Sequence, residues 1–396
     1  MTIKAAEGYR SGEATEVVVE RARGLRSQLR EHAAAADGNR HLDAADVDAI
    51  TDAGLMSLWA PQEYGGAETS IRTVVEAAIA LGEGDASAGW LMGVNNAAAF
   101  LISLFSDQAK SEVWANGSRV RGAGVLAPSG QSEVVEGGVR LTGRWPYMSG
   151  VTVADWVVVT APLNGALGPG AELGFVLLPR EDISVDDTWF VTGMRATASS
   201  TAVIDQVFVP EHRILRWRDY DYARYRGIYR SHIYSVLNIA IVSTLVGEVQ
   251  YGLELVLNKA GSRPIVTTTY RTQAESAAFQ VEVARAAQLI ETARLRMLAA
   301  ADDMDRIVSE GRHASSDEKT KNRADSAFIA QCCWQAADIL ASAHGTSTFA
   351  QTNPLERVWR NAAVASRHAG LSARVGNELL GRDLLGIETQ SIGPTL

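Results

Sequence analysis

The chain predicts a mainly α protein with a central β domain: N-terminal helices, an antiparallel β-sandwich or barrel, and a C-terminal four-helix bundle. Three observations predict it. Apolar residues recur at helical spacing up to about Gly117. Short β-branched runs broken by Gly, Pro, Asn and Asp fill about Ser118–Leu215. Long stretches of good helix formers follow from about Tyr229. The implied domains are 1–117, 118–228 and 229–396, and 396 residues suffice for a sizeable core.

In order, Val17, Val18, Ala22, Leu25 and Leu29 mark one helix over Glu16–Ala35. Asp43 reads as the N-cap of a helix ending at Gly54, and Trp59–Gly66 as a loop. Further helices are expected over Ser70–Leu81 and Ser87–Phe105. Strands are expected at Trp156–Thr160, Gly174–Leu178 and Ala202–Val209, between turns such as Asn164-Gly165. Thr272–Ser309 is rich in Ala, Glu, Gln, Arg and Leu. Ser315-Ser316-Asp317-Glu318 forms a capping box for the next helix, which stops at Gly345. Asn353-Pro354-Leu355-Glu356 opens another, with Asn as cap and Pro at the first helical position. Long helices with short connections imply an antiparallel bundle.

Composition excludes several classes. Hydrophobic residues are 46% and charged ones 21%, as in an ordinary soluble protein. A formal net charge of -9 with no dense Lys/Arg block argues against nucleic acid or an anionic membrane as partner. Cys332 and Cys333 are adjacent and cannot form a disulfide framework. The opening MTIKAAEGYRSGEATE lacks an apolar segment behind a basic one, so no signal peptide is expected and the cytoplasm is the expected location. The longest apolar stretch, around Tyr234–Val246, reads as too short for a bilayer, which needs ~20 residues, and as a buried bundle helix.

Common catalytic constellations are missing. The seven histidines form no i, i+4 pair, so no metal site is expected. There is no GxSxG elbow and no GxxxxGK[ST] phosphate loop. Gly122-Ala123-Gly124 begins like a dinucleotide fingerprint, but Ala127 stands at the third Gly and β structure follows. What remains is Arg144–Thr160, RWPYMSGVTVADWVVVT. Its aromatic turn, Trp145-Pro146-Tyr147-Met148, leads into Ser149-Gly150 and then a strand. Gly150 tolerates positive φ, which would let Ser149 present its amide and hydroxyl to a planar heteroaromatic ring.

Several strings together resemble the acyl-CoA dehydrogenase superfamily, over nearly the whole chain. Trp59–Gly66 is similar to its PxxYGG loop. Gly193–Ser200 followed by Val207–His212 is similar to its GxRxxxS…VFVPxxR segment, and Leu355–Asn361 to its [LV]ERxxRD helix start. The resemblance implies a flavin clasped between β domain and bundle, usually in a homotetramer. Where most dehydrogenases of this kind carry a catalytic Glu, Ala369 stands here, and alanine accepts no proton.

WxxxSG from Trp145 to Gly150 and WRNxxxxxxH from Trp359 to His368 are similar instead to the two-component (group D) flavin-dependent monooxygenases. That resemblance implies reduced FAD (or FMN) supplied by a separate NAD(P)H:flavin reductase, and O2 as co-substrate. A flavin C4a-hydroperoxide would transfer one oxygen to a small aromatic substrate of phenol or indole type. N-oxygenation of an amino sugar, an acyl-CoA dehydrogenase and a catalytically silent flavoprotein are the alternatives. By the same resemblance Ser149 lies beside the flavin ring and His368 over its reactive edge. Trp145, Met148, Trp189 and Leu126 would be flavin contacts, and Gly345 and Thr346 would meet the adenine side; Arg263, near the start of the bundle, is a candidate charge-assisted donor to the pyrophosphate or a solvated surface Arg. Thr346 and Thr348 replace glycines of the motif, which implies looser FAD retention. Asn95 and Asn96, in an apolar helix, are candidate substrate contacts or structural hydrogen-bonders, and Trp90 reads as core.

Overall fold

Caps decide where the helices begin. In the computed structural model, which describes residues 14–388, the side chains of Asp43, Ser70 and Asp85 accept backbone N–H groups at the starts of three helices. The stretch read for a signal peptide lies largely outside the described residues. The N-terminal helices are α1 (Thr15–Gly24), α2 (Arg26–Asn39), α3 (Ala44–Asp52), α4 (Ile71–Gly82), α5 (Ala86–Ile102) and α6 (Asp107–Val113). The single helix expected over Glu16–Ala35 is two. It breaks at Gly24-Leu25, where glycine is a poor helix former and the Leu25 N–H turns back to Ala22 O.

Eight strands follow: β1 (Gly122–Val125), β2 (Gln131–Val135), β3 (Gly138–Trp145), β4 (Trp156–Pro162), β5 (Leu173–Pro179), β6 (Ser184–Asp186), β7 (Thr201–Pro210) and β8 (Ile214–Arg216). They form two four-stranded sheets, ordered β1-β4-β5-β8 and β2-β3-β7-β6. Pairing is antiparallel except between β1 and β4, which run parallel with Val125 opposite Val159. That one parallel pair arises because the chain visits the second sheet between them, through β2 and β3. Val139, Leu141, Trp145, Val157, Val176 and Ile204 fill the space between the sheets.

The C-terminal part comprises α7 (Ile233–Ala260), α8 (Ala277–Ser309), α9 (Ser316–His344), α10 (Pro354–Ala365) and α11 (Ala373–Leu384). The capping box at Ser315 and Glu318 is formed, and Gly345 ends α9 with φ 87°. Helix α7 is longer than its apolar stretch suggested, at 28 residues, and a window of it is apolar enough to span a bilayer; 83% of that window is buried inside the protein. It is the central post, packed by α4, α5, α9 and α10. Close approach is possible because glycines face it: a Cβ on Gly93 of α5 would lie 2.6 Å from Ala240 O. One apolar core therefore runs from Trp59 and Phe100 through Ile239 and Leu245 into the bundle, while the sandwich keeps its own.

Candidate active site

The turn after β3 is held from below by apolar side chains and from the side by a second loop. Trp145 is fully enclosed, with its Nε1–H donated to Thr160 O at 2.8 Å, and Met148 packs beside it in the sandwich core. These two expected ring contacts are instead the footing of the turn: β3 alternates its side chains, and the apolar ones face the opposite sheet. Tyr147 adopts φ 65° and is 72% exposed, and Gly150 takes φ 74° as anticipated. The Met148 N–H bonds Ser200 O at 3.1 Å and the Gly150 N–H bonds Thr197 O at 2.9 Å. So the turn is zipped to segment 193–200. That segment holds two more left-handed non-glycine residues, Met194 (φ 55°) and Ala198 (φ 45°). Such conformations cost about 1–2 kcal/mol each and persist where surrounding contacts impose them.

Between the two segments runs a ladder of hydroxyls. Ser149 Oγ lies 2.7 Å from Ser199 Oγ, which lies 2.7 Å from Thr197 Oγ1, and Thr197 Oγ1 donates to Met194 O at 2.8 Å. Trp90 of α5 donates its indole N–H to Ser149 Oγ at 3.2 Å. The same indole meets the His368 ring edge-on, with centroids 5.5 Å apart. Ser149 and His368, some two hundred residues apart in sequence, thus converge on one tryptophan.

His368 follows α10. Its Nδ1 accepts the Gly370 N–H at 3.0 Å, so the neutral ring carries its hydrogen on Nε2. The ring keeps open surface on one side while protein surrounds the rest, as for a side chain in a cleft wall. Loss of hydration, with the Arg323 guanidinium nearby, pulls its pKa down to about 4. Arg323 also holds the segment in place through the carbonyls of Ala369 and Gly370. Asn238 of α7 stands against Gly370, where any Cβ would collide with its side-chain oxygen.

Beside Ser149, a narrow recess with a cavity volume of about 10 Å³, roughly one water, is lined by Met56, Leu91, Asn95, Gly122 and Val153. Asn95 borders it, but its amide is engaged: it donates to Met56 O and accepts the Gly122 N–H at 2.6 Å. Asn96 is enclosed, accepting the Trp59 N–H at 3.0 Å and donating to Leu55 O and Met92 O. Both staple α5 to its neighbours. Trp189 is half-buried, edge-on to Tyr147 at 6.2 Å, and donates its Nε1–H to Met194 O. Leu126 is half-buried just beyond β1.

Arg263, Gly345 and Thr346 are gathered elsewhere. Arg263 lies 2.6 Å from His344 Nε2 and bonds Ser347 Oγ, next to the Gly345 turn. This group lies past the C-terminal end of α7, whereas Asn238 and His368 adjoin its N-terminal half. Along the helix, Asn238 to Ala260 is about 33 Å at the standard rise.

Comparison with known proteins decides the family. The model for "Acyl-CoA dehydrogenase, N-terminal domain" matches residues 13–117, and that for "Acyl-CoA dehydrogenase, C-terminal domain" matches 239–373. The FADH(2)-dependent resorcinol hydroxylase, oxygenase component, of Rhizobium sp. (strain MTP-10005) is 28% identical over 387 residues, 94% of each chain. The structure of XiaF from Streptomyces sp. in complex with FADH2 and glycerol is 32% identical, with TM-score 0.91, covering 96% of this chain and 98% of that one. The 3-HSA hydroxylase from Rhodococcus sp. RHA1 is 26% identical, with TM-score 0.86, covering 94% and 97%. The chain belongs to the acyl-CoA dehydrogenase superfamily, in its two-component flavin-dependent monooxygenase branch.

The residues present fit the flavin of this monooxygenase branch. The Ser149 hydroxyl, the Trp90 indole and the His368 imidazole stand together beside a recess walled mainly by apolar groups, as a heteroaromatic ring with a polar edge requires. The monooxygenase site also contains residues that sequence reasoning passed over. Trp90, read as core, is buried in the main core, and from there it also joins Ser149 to His368. Thr197 and Ser199 lay inside a quoted string whose loop geometry no periodicity reveals. Asn361, in the WRN string, accepts the Met194 N–H at 2.6 Å and donates to Glu248 Oε1 at 2.8 Å, docking segment 193–200 on the bundle. Glu248 is itself an acid within the bundle. It is buried, with burial holding its carboxyl well above the usual range, and its bond to Asn361 keeps it away from the recess. It does not supply the carboxylate missing at Ala369. Among the described residues, no group of three or more His, Cys, Asp or Glu could hold a metal.

Proposed function

We propose that this monooxygenase hydroxylates a small aromatic compound of phenol or indole type, using flavin reduced by a separate NAD(P)H:flavin reductase. The observation that carries the reading is the convergence of Ser149 and His368 on Trp90 beside an apolar recess. The names of its relatives agree with the substrate class: resorcinol hydroxylase, p-hydroxyphenylacetate 3-hydroxylase and indole-3-acetate monooxygenase. When bound, reduced flavin supplies two electrons to O2, so that one oxygen atom enters the substrate and the other leaves as water.

The chain's own residues would do the rest. Ser149 would accept a hydrogen bond from the ring edge, with Trp90 fixing its direction. Neutral His368, its Nδ1 engaged by Gly370, would donate from Nε2 toward the reacting oxygen or a substrate hydroxyl rather than act as a base. The apolar walls exclude water, which would otherwise release the oxygen as peroxide. Asn95 borders the substrate recess and Asn96 supports it from behind. Arg263, Gly345 and Thr346 cannot reach the same ring within one chain. They would serve the adenine side of a flavin in a neighbouring subunit, which supports a homotetramer and FAD. A cytoplasmic location, with the reductase, belongs to the same reading. Neither amino-sugar N-oxygenation nor acyl-CoA oxidation is favoured by any contact at the recess.

The test mixes the protein and anaerobically reduced FAD with O2, follows the flavin absorbance, and then adds phenols and indoles. A delayed return to oxidised flavin and a hydroxylated product are expected. Immediate reoxidation with stoichiometric peroxide for every substrate would count against the reading.

A further inference from the structure

The hydroxyl ladder has a direction. Its four oxygens, Ser149 Oγ, Ser199 Oγ, Thr197 Oγ1 and Met194 O, are separated by 2.7, 2.7 and 2.8 Å. Oxygens this close repel unless a proton lies between them. Three gaps therefore need three protons, and the three hydroxyls carry one each, since the Met194 carbonyl has none. Only one arrangement fills every gap. Thr197 donates to Met194 O, Ser199 donates to Thr197, and Ser149 donates to Ser199. Met194 O is held in place by the Trp189 indole N–H at 3.0 Å, so the end of the ladder does not swing away.

Ser149 is left with no proton to offer. One of its lone pairs takes the Trp90 N–H at 3.2 Å, and the other is free to accept. A hydroxyl ordinarily serves as donor or acceptor as its partner requires; this one is committed. We infer that Thr197 and Ser199 are positioning residues that make Ser149 an acceptor only, and that the ladder thereby selects reduced over oxidised flavin. The inference rests on the reading that Ser149 faces the flavin N5 edge. Reduced flavin carries hydrogen at N5 and can donate to Ser149. Oxidised flavin has a bare N5 that needs a donor, and there the two lone pairs would oppose each other. An oxygenase that must take up reduced flavin and release the oxidised product gains from such a filter.

The test is an equilibrium titration of wild type, Ser199→Ala, Thr197→Val and Thr197→Ser with oxidised FAD in air and with reduced FAD anaerobically, read by tryptophan fluorescence. Wild type should bind reduced FAD more tightly. In Ser199→Ala the Ser149 proton is released to serve a ligand, so the ratio of the two affinities should narrow by about 2- to 12-fold, the factor of one hydrogen bond. Thr197→Val should narrow it likewise, because Ser199 can then donate to Ser149. Thr197→Ser keeps the proton count and should retain the wild-type ratio. Equal losses of both affinities in Ser199→Ala and Thr197→Val would mean mere structural support and would overturn the inference while leaving the proposed function intact. A wild type that binds both redox states equally overturns it too. A wild type that binds neither overturns this inference and the proposed function together.

Discussion

His368 shows how surroundings set a residue's role. An isolated histidine titrates near 6.5, where it serves as acid or base; partial loss of hydration and Arg323 bring this one to about 4. The unfolded chain therefore binds a proton at this site between about pH 6.5 and 4 while the folded protein does not. Stability from this group is complete above about 6.5 and falls as pH drops toward 4. We expect His368→Asn to flatten the acid limb of a urea-denaturation series over that window; an unchanged slope would remove His368 as its source. In turnover, His368→Ala should retain flavin binding but lower product formation by about 10²-fold, the scale of a positioned proton-handling group, with peroxide rising in proportion. Unaltered turnover would take His368 out of the mechanism.

At the scale of elements, α10 is the clamp. Its Asn353 cap and Pro354 set where it starts, and Glu356 and Arg360 then fall one turn apart on one face, with Asn361 next to Arg360. Arg360 pairs with Glu356 and Asp37 and bonds Thr192 O, while Asn361 holds the Met194 N–H and Glu248. The helix thereby presses segment 193–200, and with it the hydroxyl ladder, against Ser149. Asn361→Leu leaves the Glu248 carboxyl without that partner and frees the Met194 N–H. We expect a loss of about 1–3 kcal/mol per group left unsatisfied, read by chemical denaturation, together with weaker flavin binding. As a reference remote from the site, Ser315→Ala breaks a formed capping box. It should cost about 1 kcal/mol without touching flavin affinity, and a change in affinity would mean that the start of α9 is coupled to the flavin site.

For the whole molecule, the length of α7 sets the logic. Its N-terminal half carries Asn238 beside the His368 segment, and beyond its far end lie Arg263 and the Gly345 turn. A site needing both groups needs a second chain. Sedimentation should give at least a dimer, and four chains if the proposed homotetramer forms; a monomer that binds FAD tightly would overturn this. Arg263→Ala should weaken FAD several-fold while leaving FMN, which lacks the adenosine half, nearly unchanged; equal loss for both would place Arg263 outside the cofactor site.

Helix starts were legible because capping is local: Asp43, Ser70, Ser315 and Asn353 bond amides within three residues of themselves. The sandwich was legible as well, because β-branched runs alternate with turn residues. The family strings were readable for the same reason, each being a contiguous local motif. Tertiary structure alone decided which way side chains face and what they meet across long separations. Trp145 and Met148 turned into the core, since a strand's alternation assigns faces only once its partner sheet is placed. Trp90 became the link between Ser149 and His368 only when α5, the turn and the end of α10 were packed together. Local hydrogen bonds and periodicity are encoded within a few residues and can be read in order. An active site is a meeting of distant segments, and that meeting is settled by the packing of the whole chain.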